Sequence, residues 1–235
     1  NILGDISKNP NGDDHFYLRD LYGNVFEIVK AEDWFGKTNF TTGGSYGAVI
    51  GVTDMEKSIA FYSDILGFDK IIYDKEEIFS DTAVLTGGNN KSRRVLLAQS
   101  ESRRGPFSKL LGNGEIELVK VYDRTPNEIF ANRYWGDLGF IHLCFDIQSM
   151  DKMKTLCESK GYPFTVDSGN HFDMGEAAGH FSYIEGPDGA LIEFVETHKV
   201  PILKKFGWYL NLKKRDPNEA LPNWMVKAMG LNRVK

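Results

Sequence analysis

Residues able to do chemistry are sparse in this chain, and most fall in segments of strand character. There are five histidines and two cysteines among 235 residues. His142 stands two positions before Cys144, so on a strand the imidazole and the thiol share one face. Imidazole and thiolate both ligate metals, and imidazole also moves protons near neutral pH. The default role of a histidine beside Cys and Phe is a hydrogen-bonded structural one. Glu193 lies four residues after Gly189, and Glu27 four residues after Gly23 (193 − 189 and 27 − 23). A carboxylate recurring at one place in a repeated hairpin could shuttle a proton or hold a cation. For Glu27 the reading taken is a solvated strand residue. Arg93, Arg94, Arg103 and Arg104 flank one strand and could hold a carboxylate or phosphate, or form a solvated rim.

The elements that must position these groups repeat. Tyr183 to Val195 echoes the opening stretch His15 to Val29: a strand, a turn (Leu21-Tyr22-Gly23-Asn24 in the first copy), then a second strand. A further echo joins Gly47–Asp54 to His142–Ser149, two strands that each run into a helix start, with Asp54 and Ser149 as N-caps. The following helices read Met55 to Leu66, ended by Gly67, and Met150 to Lys160, ended by Gly161. Strand candidates after the first helix are Asp69–Tyr73, Thr82–Thr86, Arg94–Gln99 and Ile116–Tyr122. After the second they are Phe164–Asp167, Phe181–Ile184 and Leu191–Glu196. Strand, helix, then a run of strands, twice over, is an α+β pattern with helices on one face of the sheets.

Bulk properties exclude several classes. Hydrophobic residues make up 41% of the chain, enough for one large domain or two small ones. A net charge of −5 gives no basic surface for nucleic acid. No apolar run nears the roughly 20 residues of a membrane span. Two cysteines make no disulfide framework, and a cytoplasmic setting is the bland inference. The chain opens without methionine, on a hairpin that needs partners, so upstream sequence is expected.

Val52-Thr53-Asp54-Met55-Glu56-Lys57-Ser58-Ile59-Ala60-Phe61-Tyr62-Ser63-Asp64-Ile65-Leu66-Gly67-Phe68 closely resembles the opening of a vicinal-oxygen-chelate module, and Gly186-Pro187-Asp188-Gly189-Ala190-Leu191-Ile192-Glu193 resembles its closing hairpin. That superfamily holds glyoxalases, extradiol dioxygenases and bleomycin- or fosfomycin-resistance proteins. The resemblance covers about residues 45 to 198 and the hairpin at 15 to 29. It implies paired βαβββ modules forming a cupped mixed sheet. The division expected is 1–36 as the closing hairpin of an earlier, incomplete module, 44–123 and 137–198 as the complete modules, and 199–235 as a C-terminal extension.

The resemblance also implies a ligand set. In metal-bearing members each module contributes one ligand from its first strand and one from its last. Those positions are Gly47, Glu117, His142 and Glu193 here. Gly47 has no side chain, where the family usually has His or Gln. Glu117, His142 and Glu193 are therefore expected together in one small-molecule cleft, holding Zn, Ni, Mn, Co or Fe, with Glu193 as the proton carrier. Strand alternation agrees with a cleft and equally with solvent. Each of the three points away from a more apolar face made by Ile116 and Leu118, Leu143 and Phe145, or Ile192 and Phe194.

His171 and His180 could supply a missing ligand, or be loop and strand residues with no such role. The loop from Gly105 to Gly114 could be a lid. The extension, with Trp208, Tyr209 and Trp224 and a short helix opened by Pro222, is expected over a module or a neighbouring subunit, which allows a homodimer. Two functions stay open. One is a divalent-metal enzyme of lyase, isomerase or dioxygenase type. The other is a metal-free module that binds a small molecule in the same cleft.

Overall fold

A computed structural model describes residues 1–31, 35–36, 41, 43–169, 172–173 and 178–232. The chain starts with a three-stranded antiparallel sheet, β1 (Ile2–Lys8), β2 (Asp14–Arg19) and β3 (Val25–Val29). The expected hairpin is β2–β3. Its turn is closed by the Asp20 carboxylate, which accepts from the backbone N–H of Tyr22 and of Asn24, each at 2.8 Å. Strand β1 was not foreseen. Its register shifts between Leu3 and Ser7, with Gly4 at φ +72°, so its side-chain alternation is broken.

The first module runs β4 (Gly47–Gly51), α1 (Met55–Asp64), β5 (Lys70–Glu77), β6 (Ser92–Ala98), α2 (Ser108–Leu111) and β7 (Glu115–Val121). Its strands lie in the order β4-β7-β6-β5, with β4 parallel to β7 and the other pairs antiparallel. The Asp54 side chain caps α1 by accepting from Lys57 N–H. The segment Thr82–Thr86, expected as a strand, is a chain of turns instead. Leu85 N–H bonds to the Thr82 carbonyl at 2.8 Å, and the Thr82 hydroxyl reaches the Phe79 and Gly88 carbonyls. Local side-chain-to-backbone bonds there replace a strand ladder.

The second module runs β8 (His142–Asp146), α3 (Met150–Ser159), β9 (Val166–Asp167), β10 (Phe172–Asp173), β11 (Ala178–Glu185) and β12 (Leu191–Leu203). Strand β8 pairs parallel with β12, and β11 pairs antiparallel with it. Ser149 stands at the N-cap of α3, but its hydroxyl makes no cap bond. The Glu196 carboxylate accepts from Ser149 and Met150 N–H at 3.3 and 3.0 Å, so β12 supplies the cap. Strand β12 continues unbroken into the extension and pairs with β13 (Trp208–Asn211), ahead of α4 (Asn223–Met229).

Both modules bury one common core. Phe61, Tyr62, Leu97 and Leu118 of the first pack in the same cluster as Met150, Cys157, Ile184 and Phe194 of the second. Asp188, in the closing hairpin of the second module, accepts from the N–H and hydroxyl of Thr53 at the start of α1, at 3.0 and 2.5 Å. A smaller core of Val200, Ile202, Leu212, Leu221 and Met225 folds the extension on itself, with Phe107 of the first module packed against it. With the helices gathered on the core side, each sheet keeps one face free of them. Among the described residues, no helix is long and apolar enough to cross a membrane.

Candidate functional site

The concave face of the first module is filled by the protein itself. Alternation along β7 sends Ile116 and Leu118 into the core and Glu117 to the opposite face, where it is nonetheless only 5% exposed. Arg94 Nε donates to Glu117 Oε1 at 2.5 Å and its Nη1 to Asp81 Oδ2 at 2.7 Å. The Tyr73 hydroxyl donates to Glu117 at 2.7 Å. The N-terminal sheet adds His15, 1% exposed, whose Nδ1 meets Glu27 Oε1 at 2.6 Å and whose Nε2 lies 3.3 Å from Asp81.

Three carboxylates thus surround a guanidinium and an imidazole. Burial alone would lower the His15 pKa, but the bonds to Asp81 and Glu27 win and push it up to about 9. Burial would likewise raise Asp81, yet His15 and Arg94 hold it below the usual carboxylate range. Burial pushes Glu117 upward, partly offset by Arg94 and Tyr73. Glu27 is therefore no solvated strand residue but the partner of a buried histidine. Arg93 and Arg94 hold carboxylates as allowed above, and those carboxylates are the chain's own: Arg93 forks onto Asp74 at 2.8 and 2.7 Å, whereas Arg103 donates to the Gln99 side chain.

Gly47 has a structural reason to be glycine. A Cβ there would lie 2.1 Å from the Glu115 carbonyl oxygen of the adjacent strand. The first family ligand position is thus closed to any side chain without backbone movement.

The second concave face is open. The register places Leu191 beside His142 and Glu193 beside Cys144, with Tyr183 across from Glu193 on the other side. His142 Nε2 lies 3.0 Å from Glu193 Oε2. The Tyr183 hydroxyl also bonds to Glu193, and burial together with that carboxylate pushes the phenol pKa up. Cys144 is solvent-exposed on the same face, whereas Cys157 is buried. The Trp135 ring stacks on His142 with centroids 5.6 Å apart and planes at 14°. Tyr183 stands edge-on to both rings, each at 5.5 Å. His142 Nδ1 is buried and has no hydrogen-bond partner among the described residues.

Of these groups, Trp135, Tyr183 and Glu193 line a cavity of about 890 Å³, walled also by Phe130, Phe181, Leu191 and Val195, with Glu185 in its lining. Phe130 and Trp135 come from the connector between modules. Arg133 ties that connector into shape by donating to the carbonyls of Ile129, Leu138 and Phe140 at 3.0, 2.6 and 3.1 Å.

The structure therefore brings His142 and Glu193 together and sets Glu117 in a different network, against the expected trio. The reason is that β7 belongs to the first sheet, whose concavity the N-terminal sheet and Arg94 occupy. Among the described residues, no group of three or more His, Cys, Asp or Glu side chains is placed to hold a metal ion. The donor set thus does not fit the three-ligand divalent site.

His180 adds no ligand to the pair. Its Nε2 meets Asp167 at 2.5 Å, and alternation puts it on the core-side face with Ser182 and Ile184. His171 lies outside the described residues. The Gly105–Gly114 loop is docked rather than free: Pro106 accepts from Leu221 N–H at 2.9 Å, and Phe107 packs on the core of the extension.

Sequence reasoning passed over Trp135, Phe130 and Tyr183. For Tyr183 a signal existed, since a tyrosine precedes the glutamate by ten residues in both hairpin copies (27 − 17 and 193 − 183). The connector aromatics carry no periodic signal.

Residues 47–194 match the family model described as Glyoxalase/Bleomycin resistance protein/Dioxygenase superfamily. No curated protein matches. Similar solved structures include a glyoxalase family protein from Enterococcus faecalis, 16% identical, covering 65% of this chain and 97% of that one at a TM-score of 0.45. TnmS3, an antibiotic-binding protein from Streptomyces sp. CB03234, is 14% identical over 68% of this chain and 99% of its own, with a TM-score of 0.44. The fosfomycin resistance protein FosX from Listeria monocytogenes, complexed with Mn(II) and sulfate, is 17% identical over 67% and 93%, with a TM-score of 0.40.

Proposed function

Since this chain belongs to the Glyoxalase/Bleomycin resistance protein/Dioxygenase superfamily, we propose that it binds a small, largely apolar organic molecule on the concave face of its second module, without a metal held by Glu117, His142 and Glu193. The observation that carries the reading is the aromatic-walled cavity of about 890 Å³ beside the His142–Glu193 pair. A cleft of this volume, mostly apolar with a few convergent polar groups, suits a drug-sized ligand. Glu117 supports the metal-free form, because joining a metal would require it to leave Arg94 and Tyr73 in a buried site.

Proton transfer is the second reading, favoured by the convergence of His142, Tyr183 and the Cys144 thiol on one carboxylate. There Glu193 would take a proton from a bound substrate, and His142 would orient it and balance its charge. The Trp135 ring over His142 would exclude water from the pair.

The test is a small-molecule library screened by thermal shift and tryptophan fluorescence, with elemental analysis of the same purified full-length protein. Saturable binding that is lost in Trp135→Ala, with no stoichiometric metal, is the expected result. About one equivalent of bound metal that disappears in His142→Ala would overturn the reading and return the metal-dependent enzyme to first place.

A further inference from the structure

The charge balance of the second cleft points to the class of its ligand. Two carboxylates, Glu185 and Glu193, line the cavity, and none of the described lining residues is lysine or arginine. Basic groups in the neighbourhood are committed elsewhere. Arg133 is tied to three backbone carbonyls. Arg103 lies over the rings of Phe68 and Phe145, 5.7 Å from each, and Phe145 is on the core side of β8, opposite to His142. Lys199 lies over Tyr209 at 5.5 Å, a ring outside the lining. The imidazole of His180, also at the lining, is held by Asp167 at 2.5 Å. An anion entering this apolar space would lose its hydration and meet the carboxylates of Glu185 and Glu193, a combination that disfavours it twice.

The walls favour the opposite sign. Aromatic rings have negative faces, and a cation over such a face is attracted, most strongly over tryptophan. One face of Trp135 is covered by His142, and the residue remains 52% exposed beside the cavity. Tyr183 and Phe130 stand edge-on to it at 5.5 and 5.7 Å between centroids, and Phe181 stands edge-on to Tyr183 at 6.1 Å. Rings at steep mutual angles form a cage rather than a flat slot.

We propose that the preferred ligand of this cleft is an organic cation, an amine or quaternary ammonium carried on an apolar body, caged by Trp135 and Tyr183 and balanced by Glu193. The proposal rests on the reading that the second cleft binds a small molecule, and it goes further by excluding anionic ligands such as carboxylates, phosphonates and acyl thioesters of phosphorylated carriers.

Three probes of one shape separate charge from fit: benzyltrimethylammonium, its neutral carbon isostere neopentylbenzene, and benzylsulfonate. Binding is followed by tryptophan fluorescence on the full chain. The expected order is cation first, with at least about tenfold tighter binding than the isostere and no saturation by the sulfonate. Glu193→Gln should collapse the preference between cation and isostere, and Trp135→Ala should weaken both. The comparison within the unmodified protein needs no variant to fold. Equal or tighter binding of the isostere would overturn the proposal and leave the binding-cleft reading intact, as would preference for the sulfonate. Failure of all three probes would overturn the cation preference, and the library screen described above then decides separately whether the cleft binds anything.

Discussion

The two concave faces of this molecule are built on the same βαβββ scaffold and end in opposite states. On the first, the N-terminal sheet lays His15 against Asp81, and Arg94 bridges Asp81 and Glu117, so the concavity is solid. On the second, a tyrosine–glutamate pair in the same register, Tyr183 and Glu193, borders an open cavity. The N-terminal hairpin carries the same pair, Tyr17 opposite Glu27. Equivalent strand positions therefore close a buried network in one place and border an open cavity in the other. What decides between them is the group that arrives from outside the strand: an arginine and a docked sheet, or a connector bearing aromatics.

The largest effect that can break this contrast is removal of Arg94. Arg94→Met should cost about 3–5 kcal/mol in denaturant unfolding, since Asp81 and Glu117 are left buried without their cation. Glu193→Gln, the parallel change on the open face, should cost less than about 1 kcal/mol, because that pair is partly solvated. Comparable losses from both would show that the two faces do not differ in kind.

Next in size is a pH effect confined to the filled face. His15 is raised from 6.5 to about 9, so its protonated form is the one the fold favours. The stabilisation is complete below about pH 6.5 and is lost as pH climbs through about 9, amounting to no more than about 3 kcal/mol. Unfolding free energies at pH 6 and 9.5 should differ in the parent protein. In His15→Gln that difference should shrink to near zero, and its persistence would remove His15 from the account.

A local packing effect is expected at Gly47. Gly47→Ala should destabilise the first module by about 1–3 kcal/mol, as β4 must shift from the Glu115 carbonyl. Thermal melts would read this. A variant as stable as the parent would show that the strand pair relaxes freely, and that the missing family ligand is not a packing requirement.

Much of the fold was legible in the residues. Asp54 before an apolar-periodic stretch, Gly67 after it, and the recurrence of a hairpin whose turn glycine is followed four residues later by glutamate announce the modules. Alternation also put Glu117, His142 and Glu193 on the correct faces of their strands. It could not say what lies across from each face, because that is set by contacts distant in sequence. Arg94 is 23 residues from Glu117 and Asp81 a further 13 back, in a stretch of turns whose Thr-Ala-Val-Leu-Thr composition imitates a strand. Trp135 was invisible for a different reason. It sits in a connector shaped by Arg133 and backbone carbonyls, and such bonds leave no periodic trace.

That connector separates two kinds of inheritance. Phe130 and Trp135 belong to neither of the protein's hydrophobic cores. Substitutions there can accumulate without disturbing how the sheets assemble, while every change on β11 or β12 that alters the cleft also risks the core on the reverse side. If the second cleft binds a ligand as proposed, changes at a handful of connector positions would alter its choice, with Arg133 as the frame and the strands left alone.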